Sequence, residues 1–167
     1  MKSLVPDLVR TPGLSRRAWL GAALMLGAAR TAGAAAATLP SARLLRDELT
    51  QALKVGGPLV VMVSLNGCPF CKVVREHYLS PMRAEQDLPV VQVDMHSAAT
   101  VQDFKGVALT HDQLVHAWQV TLAPTVLFFG RGGAEVAPRL AGIGSSDFYG
   151  AYLERRLEQA RTAIKGS

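Results

Sequence analysis

Leu59-Val60-Val61-Met62-Val63-Ser64-Leu65-Asn66-Gly67-Cys68-Pro69-Phe70-Cys71-Lys72-Val73-Val74-Arg75-Glu76-His77-Tyr78 is the stretch whose reading decides the fold. Leu59 to Leu65 is an apolar run of the length expected for a buried strand, and Phe70, Val73, Val74, His77 and Tyr78 fall on one helical stripe. Cys68 and Cys71, the only two cysteines of the chain, therefore sit where a strand turns into a helix.

That junction predicts thiol chemistry. The first turn of a helix offers unpaired backbone N–H groups and the positive end of the helix dipole, which favour a thiolate at Cys68 over the thiol. Thiolates are the species that attack disulfides, and Cys-X-X-Cys pairs at helix starts titrate at about 3.5–7.5 against about 8.5 for a free cysteine. Cys68 is the expected nucleophile. Cys71, one turn further in, is the expected resolving thiol that breaks a mixed disulfide by attacking Cys68.

Other uses of two cysteines fit less well. A structural zinc site normally takes four ligands, and among the histidines only His111 and His116 have a compact ligand-like spacing, without the flanking pattern of a small zinc module. No metal is expected. A purely structural disulfide would close a very short loop, where the gain in chain entropy is smallest.

The first 37 residues are set apart from the fold. Lys2, Arg10 and Ser15-Arg16-Arg17-Ala18-Trp19-Leu20 precede an apolar Ala- and Gly-rich stretch ending at Ala29, followed by Arg30 and the small-residue sites Ala32-Gly33-Ala34 and Ala35-Ala36-Ala37. This resembles a twin-arginine export signal, with cleavage expected between Ala34 and Thr38; the apolar core could also serve the general secretory route. The stretch from Ala18 to Ala29 is too short for the roughly 20 residues of a spanning helix. Removing residues 1–37 takes Lys2, Arg10, Arg16, Arg17 and Arg30 but only Asp7 with it, which lowers the formal net charge from +5 to +1. The basic character of the whole chain thus belongs largely to the signal, and nucleic acid is not an expected partner. Residues 38–167 suffice for one domain.

Within that domain Ser41 is a candidate N-cap for a helix with Leu44, Leu45, Leu49, Ala52 and Leu53 at helical spacing, closed by Gly56-Gly57-Pro58. Further strands are read at Leu88–Val93, Thr125–Phe129 and Ala134–Leu140. Gly130-Arg131-Gly132-Gly133 makes the turn between the last two, and Pro138 assigns the last strand to an edge. Residues 95–110 read as a loop with one short turn of structure, and His111–Val120 as a helix with Leu114, Val115 and Trp118 inward. A terminal helix capped by Ser145 or Ser146, with Asp147 in its first turn, carries the stripe Tyr149, Leu153, Leu157, Ala160 and Ile164. The order is α-β-α-β-α-β-β-α.

These elements, the Cys-X-X-Cys after the first strand, Trp118-Gln119-Val120-Thr121-Leu122-Ala123-Pro124-Thr125 and Ala141-Gly142-Ile143 before the last helix resemble the thioredoxin-like superfamily over about 120 residues. The resemblance implies an α/β fold, a central mixed sheet of about four strands flanked by helices. It implies that Pro124 is a cis-proline facing the cysteines, and that the backbone of Ala123 is free to pair with an extended substrate beside Pro69 and Phe70. No cofactor is implied. Gly67, Met62 and Pro69-Phe70 stand where cytosolic thioredoxins have Trp, a buried Asp and Gly-Pro, so no buried acid serves Cys71; Glu76 and His77 read as ordinary helix positions. Pro-Phe is similar to the glutaredoxin Pro-Tyr.

Gly67-Cys68-Pro69-Phe70-Cys71 and Gly142-Ile143-Gly144-Ser145-Ser146-Asp147-Phe148-Tyr149 are similar to exported thioredoxins of sulfur-oxidation systems. That likeness implies a monomeric periplasmic reductase of protein disulfides, fed by a membrane thiol-electron carrier. Two other functions share the motif: a DsbA-like oxidant, whose helical insertion exceeds the 95–110 segment, and a metal- or partner-binding module.

Overall fold

The computed structural model describes residues 38–144 and 146–166, without the side chains of Ser146 and Asp147. The export signal read at residues 1–37 and the cap read at Ser145, Ser146 and Asp147 lie outside the described residues.

Helix α1 (Leu45–Lys54) leads into β1 (Leu59–Ser64), followed by α2 (Pro69–Val74), a π-helical turn (Arg75–Leu79) and α3 (Ser80–Gln86). Then come β2 (Val90–Asp94), the short strands β3 (Thr100–Gln102) and β4 (Ala108–Thr110), α4 (His111–Ala117), β5 (Thr125–Phe129), β6 (Glu135–Ala141) and α5 (Ser146–Lys165). The main sheet has the order β2-β1-β5-β6. β1 runs parallel to β2 and antiparallel to β5, and β5 is antiparallel to β6. A parallel neighbour requires a crossover, and α2 to α3 supplies it.

β1 reads as an unbroken apolar run because both faces of the sheet are covered. Alternate side chains go to opposite faces. Val60, Met62, Val126 and Phe128 pack with Cys71, Val74 and the α5 stripe Tyr149, Leu153, Leu157 and Ala160. Leu59, Val61, Val63, Leu127 and Phe129 pack with Leu45, Leu49 and Ala52 of α1 and with Leu114 and Val115 of α4. The predicted stripes of α1 and α5 are thus the faces that close the two cores, except for Leu44, which precedes α1 and is exposed, and the molecule is the expected mixed sheet of four strands between helical layers.

Both sheet edges are protected. β6 carries the exposed Pro138, in the edge position read from the sequence. The β2 edge is covered by the strap before α1, where Gln92 N–H donates to the Pro40 carbonyl and Ala42 N–H donates to the Gln92 carbonyl, each at 2.8 Å.

Four expectations are corrected. Ser41 does not cap α1: it bridges to Gln92, and the Glu48 carboxylate instead accepts from the backbone N–H groups of Arg43 and Leu44 at 2.9 and 3.3 Å. Residues 95–110 are not simply loop, because β3 and β4 pair as an antiparallel hairpin. Its turn is held by Asp103, whose Oδ1 accepts from the N–H groups of Lys105 and Val107, and by Gly106 at φ 85°. Finally, Phe70 and His77 are exposed rather than part of the buried stripe, which runs through Cys71, Val74 and Leu79. Pro81 has no N–H for the helical ladder, and the π-helical turn just before it resets the helix phase. Helix α4 also ends earlier than read, at Ala117, where Gln119 takes φ 54°.

Candidate active site

Cys68 is the N-cap of α2, with extended backbone angles, and Pro69 follows at the first helical position, where its missing N–H costs nothing. The backbone N–H of Cys71 donates to Cys68 Sγ at 3.1 Å. The cap that a serine or aspartate oxygen usually provides is here a sulfur, aimed at donors that favour negative charge. The two cysteines are joined as a disulfide with their Cα atoms 5.2 Å apart.

The sulfurs differ in access. Cys68 is half-buried, whereas Cys71 is 0 % exposed in the core beneath the helix. Pro69 and Phe70 stand clear of that core, Phe70 being 58 % exposed. An incoming disulfide therefore meets Cys68, flanked by an apolar ring that can be covered on contact.

On one side of Cys68 lies the loop before β5. The Ala123–Pro124 peptide is cis, and the Ala123 carbonyl oxygen is 4.0 Å from Cys68 Sγ. Two hydrogen bonds fix this loop: Thr125 Oγ1 donates to the Leu122 carbonyl at 2.6 Å, and Gly142 N–H donates to the Pro124 carbonyl at 2.7 Å. Gly142 has φ 73°, and a Cβ there would come within 3.3 Å of Leu122 Cδ2. Pro124 is buried and Ala123 half-buried, while Leu122 is exposed at the rim.

On the other side opens a cleft of about 830 Å³ lined by Gly67, Cys68, Lys72, Arg75, Asp94 and His96, among others. Arg75 Nη1 donates to Gln92 Oε1 at 2.8 Å, and Gln92 Nε2 donates to Asp94 Oδ1 at 2.7 Å. The register that pairs Met62 with Gln92 and Ser64 with Asp94 brings these groups beside the cysteines. Sequence reading misses this cleft, since its residues are separated along the chain and join only through the β1–β2 pairing.

Met62 is fully buried in the core that holds Cys71, so an apolar side chain occupies the place read from the sequence as lacking an acid. Tyr149 is buried in the same core, and its hydroxyl has no hydrogen-bond partner among the described residues. Burial, and secondarily the neighbouring Tyr78, push its phenol well above the ordinary range. Glu76 is half-buried and His77 exposed on the π-helical turn.

His111 is fully buried and both of its ring nitrogens are engaged by backbone. Nδ1 accepts from Asp94 N–H at 3.1 Å, and Nε2 lies 3.0 Å from the Ala42 carbonyl, so the ring is the neutral tautomer that donates through Nε2. It cannot join His116, whose Nε2 faces Asp112 Oδ2 at 3.6 Å on the surface. Among the described residues no group of three or more His, Cys, Asp or Glu side chains could hold a metal ion.

Several solved structures resemble the chain. Oxidised thioredoxin O2 from Arabidopsis thaliana shares 17 % identity, covers 70 % of this chain and 95 % of its own, with a TM-score of 0.46. Reduced periplasmic thioredoxin SoxS from Paracoccus pantotrophus shares 21 %, covers 62 % and 98 %, and scores 0.41. A poplar thioredoxin h shares 17 %, covers 69 % and 96 %, and scores 0.45. No curated protein sequence matches the chain. The family profile described as thioredoxin-like domain matches residues 45–156, from the start of α1 into α5 and across the whole cysteine site. With that match spanning more than half of the sequence, and with a cysteine pair at the start of α2 suited to thiol–disulfide redox chemistry, the chain belongs to the thioredoxin-like domain family.

Proposed function

We propose that the protein is an exported thiol–disulfide oxidoreductase that reduces disulfides of partner proteins. The observation that carries this reading is the unequal access of two sulfurs joined in one bond: Cys68 half-buried as the helix N-cap, Cys71 fully buried one turn below. In the dithiol form Cys68, as the thiolate, attacks a partner sulfur. A mixed disulfide forms, and the partner's other sulfur leaves as a thiolate that takes up a proton. Cys71 then gives up its proton and attacks Cys68 Sγ, which closes the intramolecular disulfide and releases the partner's second thiolate. Two electrons pass to the partner, and a membrane thiol carrier returns the pair to the dithiol by the same exchange in reverse.

Ala123 supports the substrate part of this reading. Its N–H makes no hydrogen bond among the described residues and its carbonyl borders Cys68 Sγ, so an extended partner segment can pair with it. Pro124 holds that edge open, and Pro69 and Phe70 give the partner an apolar seat. Export rests on the Arg16-Arg17 segment of the sequence. Among the described residues no helix is long and apolar enough to cross a membrane. Against a DsbA-like architecture, the 95–110 segment forms a short hairpin and not a helical insertion.

A Cys71→Ser variant expressed in the exporting host tests the mechanism. It is expected to accumulate mixed disulfides through Cys68 that dissolve on reduction, and their absence would end the exchange reading in favour of a binding module. Redox titration tests the direction. Thioredoxin at about −270 mV and DsbA at about −120 mV differ by roughly 7 kcal/mol, and a couple near the second value would make the protein an oxidant.

A further inference from the structure

We infer that the cleft beside Cys68, on the side away from Ala123 and Pro124, is a subsite for a carboxylate on the partner polypeptide, placed next to its reactive disulfide. The inference rests on the proposed exchange function and adds a substrate class to it.

The charges in the cleft are not balanced by one another. Lys72 is exposed and its ammonium has no ion-pair or hydrogen-bond partner among the described residues. Arg75 is half-buried, and no carboxylate lies within ion-pair distance of it among the described residues. Asp94 would be its natural partner. The Gln92 amide stands between them instead, accepting from Arg75 Nη1 at 2.8 Å and donating to Asp94 Oδ1 at 2.7 Å. This spacer orients the guanidinium, uses one of its five N–H donors and leaves the others for a ligand. His96, the remaining titratable group of the lining, faces Asp112 with Nδ1 3.3 Å from Oδ1.

Two cations, Lys72 and Arg75, set against the single carboxylate of Asp94 thus leave a net positive charge in an open cleft whose wall includes Cys68 itself. Residues 38–167 are nearly neutral overall, so this is a local arrangement and not a reflection of net charge. An anion held there must lie close to the attacked sulfur, and the apolar rim of Leu65 and Pro69, both exposed, is suited to a polypeptide that carries both groups. Ammonium and guanidinium side by side fit a carboxylate, the guanidinium through paired N–H donors.

The test uses disulfide-linked peptides identical except for Glu, Gln or Lys beside the cysteine, with kcat/KM measured for reduction by the dithiol protein. At low salt the Glu peptide is expected to exceed the Gln peptide by about fivefold, the scale of one partly exposed charge pair, and the Lys peptide to fall below it. The Glu/Gln ratio should decline as salt shortens the screening length to a few Å. It should approach 1 in the Lys72→Gln/Arg75→Gln double variant, while Lys54→Gln, in the last turn of α1 and outside the cleft lining, keeps it. Using the ratio removes any general effect of Lys72 on the reactivity of Cys68. A wild-type ratio of 1, or a ratio that survives the double variant, would overturn the inference. So would its loss in sulfate but not in chloride of equal ionic strength, which would assign the cleft to free oxyanions. If no peptide is reduced, the exchange function fails, and binding decides the subsite separately. Serine versions of the Glu and Gln peptides, followed by fluorescence anisotropy on the oxidised protein, must then bind unequally, the Glu peptide more tightly.

Discussion

The backbone N–H of Cys71 points at Cys68 Sγ from 3.1 Å, so in the proposed exchange the residue assigned to resolve the mixed disulfide also helps to hold the charge on the residue assigned to form it. The contact is made by main chain. It survives replacement of the Cys71 side chain, and the thiolate of Cys68 keeps its donor in a Cys71→Ser variant.

Alkylation of the dithiol protein should therefore be strongly one-sided. At pH 6.5 Cys68 is expected to react with iodoacetamide at least about tenfold faster than Cys71, because it is both reachable and favoured as thiolate. Peptide mapping by mass spectrometry after partial reaction reads the ratio. In Cys71→Ser the rate at Cys68 should stay within about twofold of wild type, since the N-cap donor remains. Equal labelling of the two cysteines would contradict the assignment of roles.

Gly142 couples the last strand to the loop that carries Pro124. Its N–H holds the Pro124 carbonyl at 2.7 Å, its φ of 73° is unfavourable for a residue with a Cβ, and that Cβ would press on Leu122. Gly142→Ala is expected to cost about 1–2 kcal/mol in urea unfolding. Gly142→Val should cost more and also slow disulfide exchange, by displacing the loop against Cys68. A Val variant with wild-type stability and rate would show that the loop is fixed elsewhere.

His111 joins three parts of the fold at one ring: the strap at Ala42, the end of β2 at Asp94 and the start of α4. His111→Phe keeps the ring but leaves the buried Ala42 carbonyl and the half-buried Asp94 N–H without partners. The expected loss is about 2–6 kcal/mol, from about 1–3 kcal/mol for each of the two abandoned groups. Faster hydrogen exchange at Ala42 and Gln92, whose bonds tie the strap to β2, is the accompanying signature. Unchanged protection there would mean that the strap is held by its backbone bonds alone.

How far the sequence could be read follows from where each signal resides. Thr125–Phe129 and the stripe from Tyr149 to Ile164 were legible because burial on both faces of a strand, or along one face of a long helix, leaves a pattern within one segment. Cys68 and Cys71 were legible because their chemistry depends on a spacing of three. β3 and β4 have three residues each, too few for alternation to register, and their hairpin is stabilised by Asp103 and Gly106 in the turn. Ser41 has the hydroxyl that suits a helix cap, but Glu48 reaches back to the N–H groups of Arg43 and Leu44 and the strap is drawn to Gln92 instead. The cleft of Lys72, Arg75, Gln92 and Asp94 exists only through strand register, which residue types alone do not encode.

Tyr149 carries a pH signature. Its ring lies 5.0 Å from that of Tyr78, and its buried hydroxyl holds its proton more firmly than the unfolded chain does. Above about pH 10 the unfolded state loses this proton while the folded state keeps it, so folding stability falls as pH rises, by up to about 1.4 kcal/mol per pH unit. Tyr149→Phe should remove that part of the decline. At pH 7 the same variant should be neutral or stabilised by up to about 1 kcal/mol, because it deletes a buried hydroxyl without a partner. Denaturant unfolding of both proteins between pH 7 and 11 compares the slopes; parallel curves would place the Tyr149 hydroxyl in contact with water.

Export is tested at Arg16 and Arg17, because guanidinium and ammonium groups are not equivalent where recognition is bidentate. A twin-arginine signal should fail when both are replaced by lysine, although charge and apolar length are unchanged. In a host with that route, Arg16→Lys/Arg17→Lys should leave the protein inside the cell, and wild type should appear in the periplasm with a new terminus between Ala34 and Thr38, read by intact mass. Normal export of the lysine variant would assign the segment to the general secretory route. Retention of wild type in the cytosol would remove the periplasm from the proposed function and place Cys68 and Cys71 in a reducing compartment, where a dithiol reductase would be maintained by a different electron source.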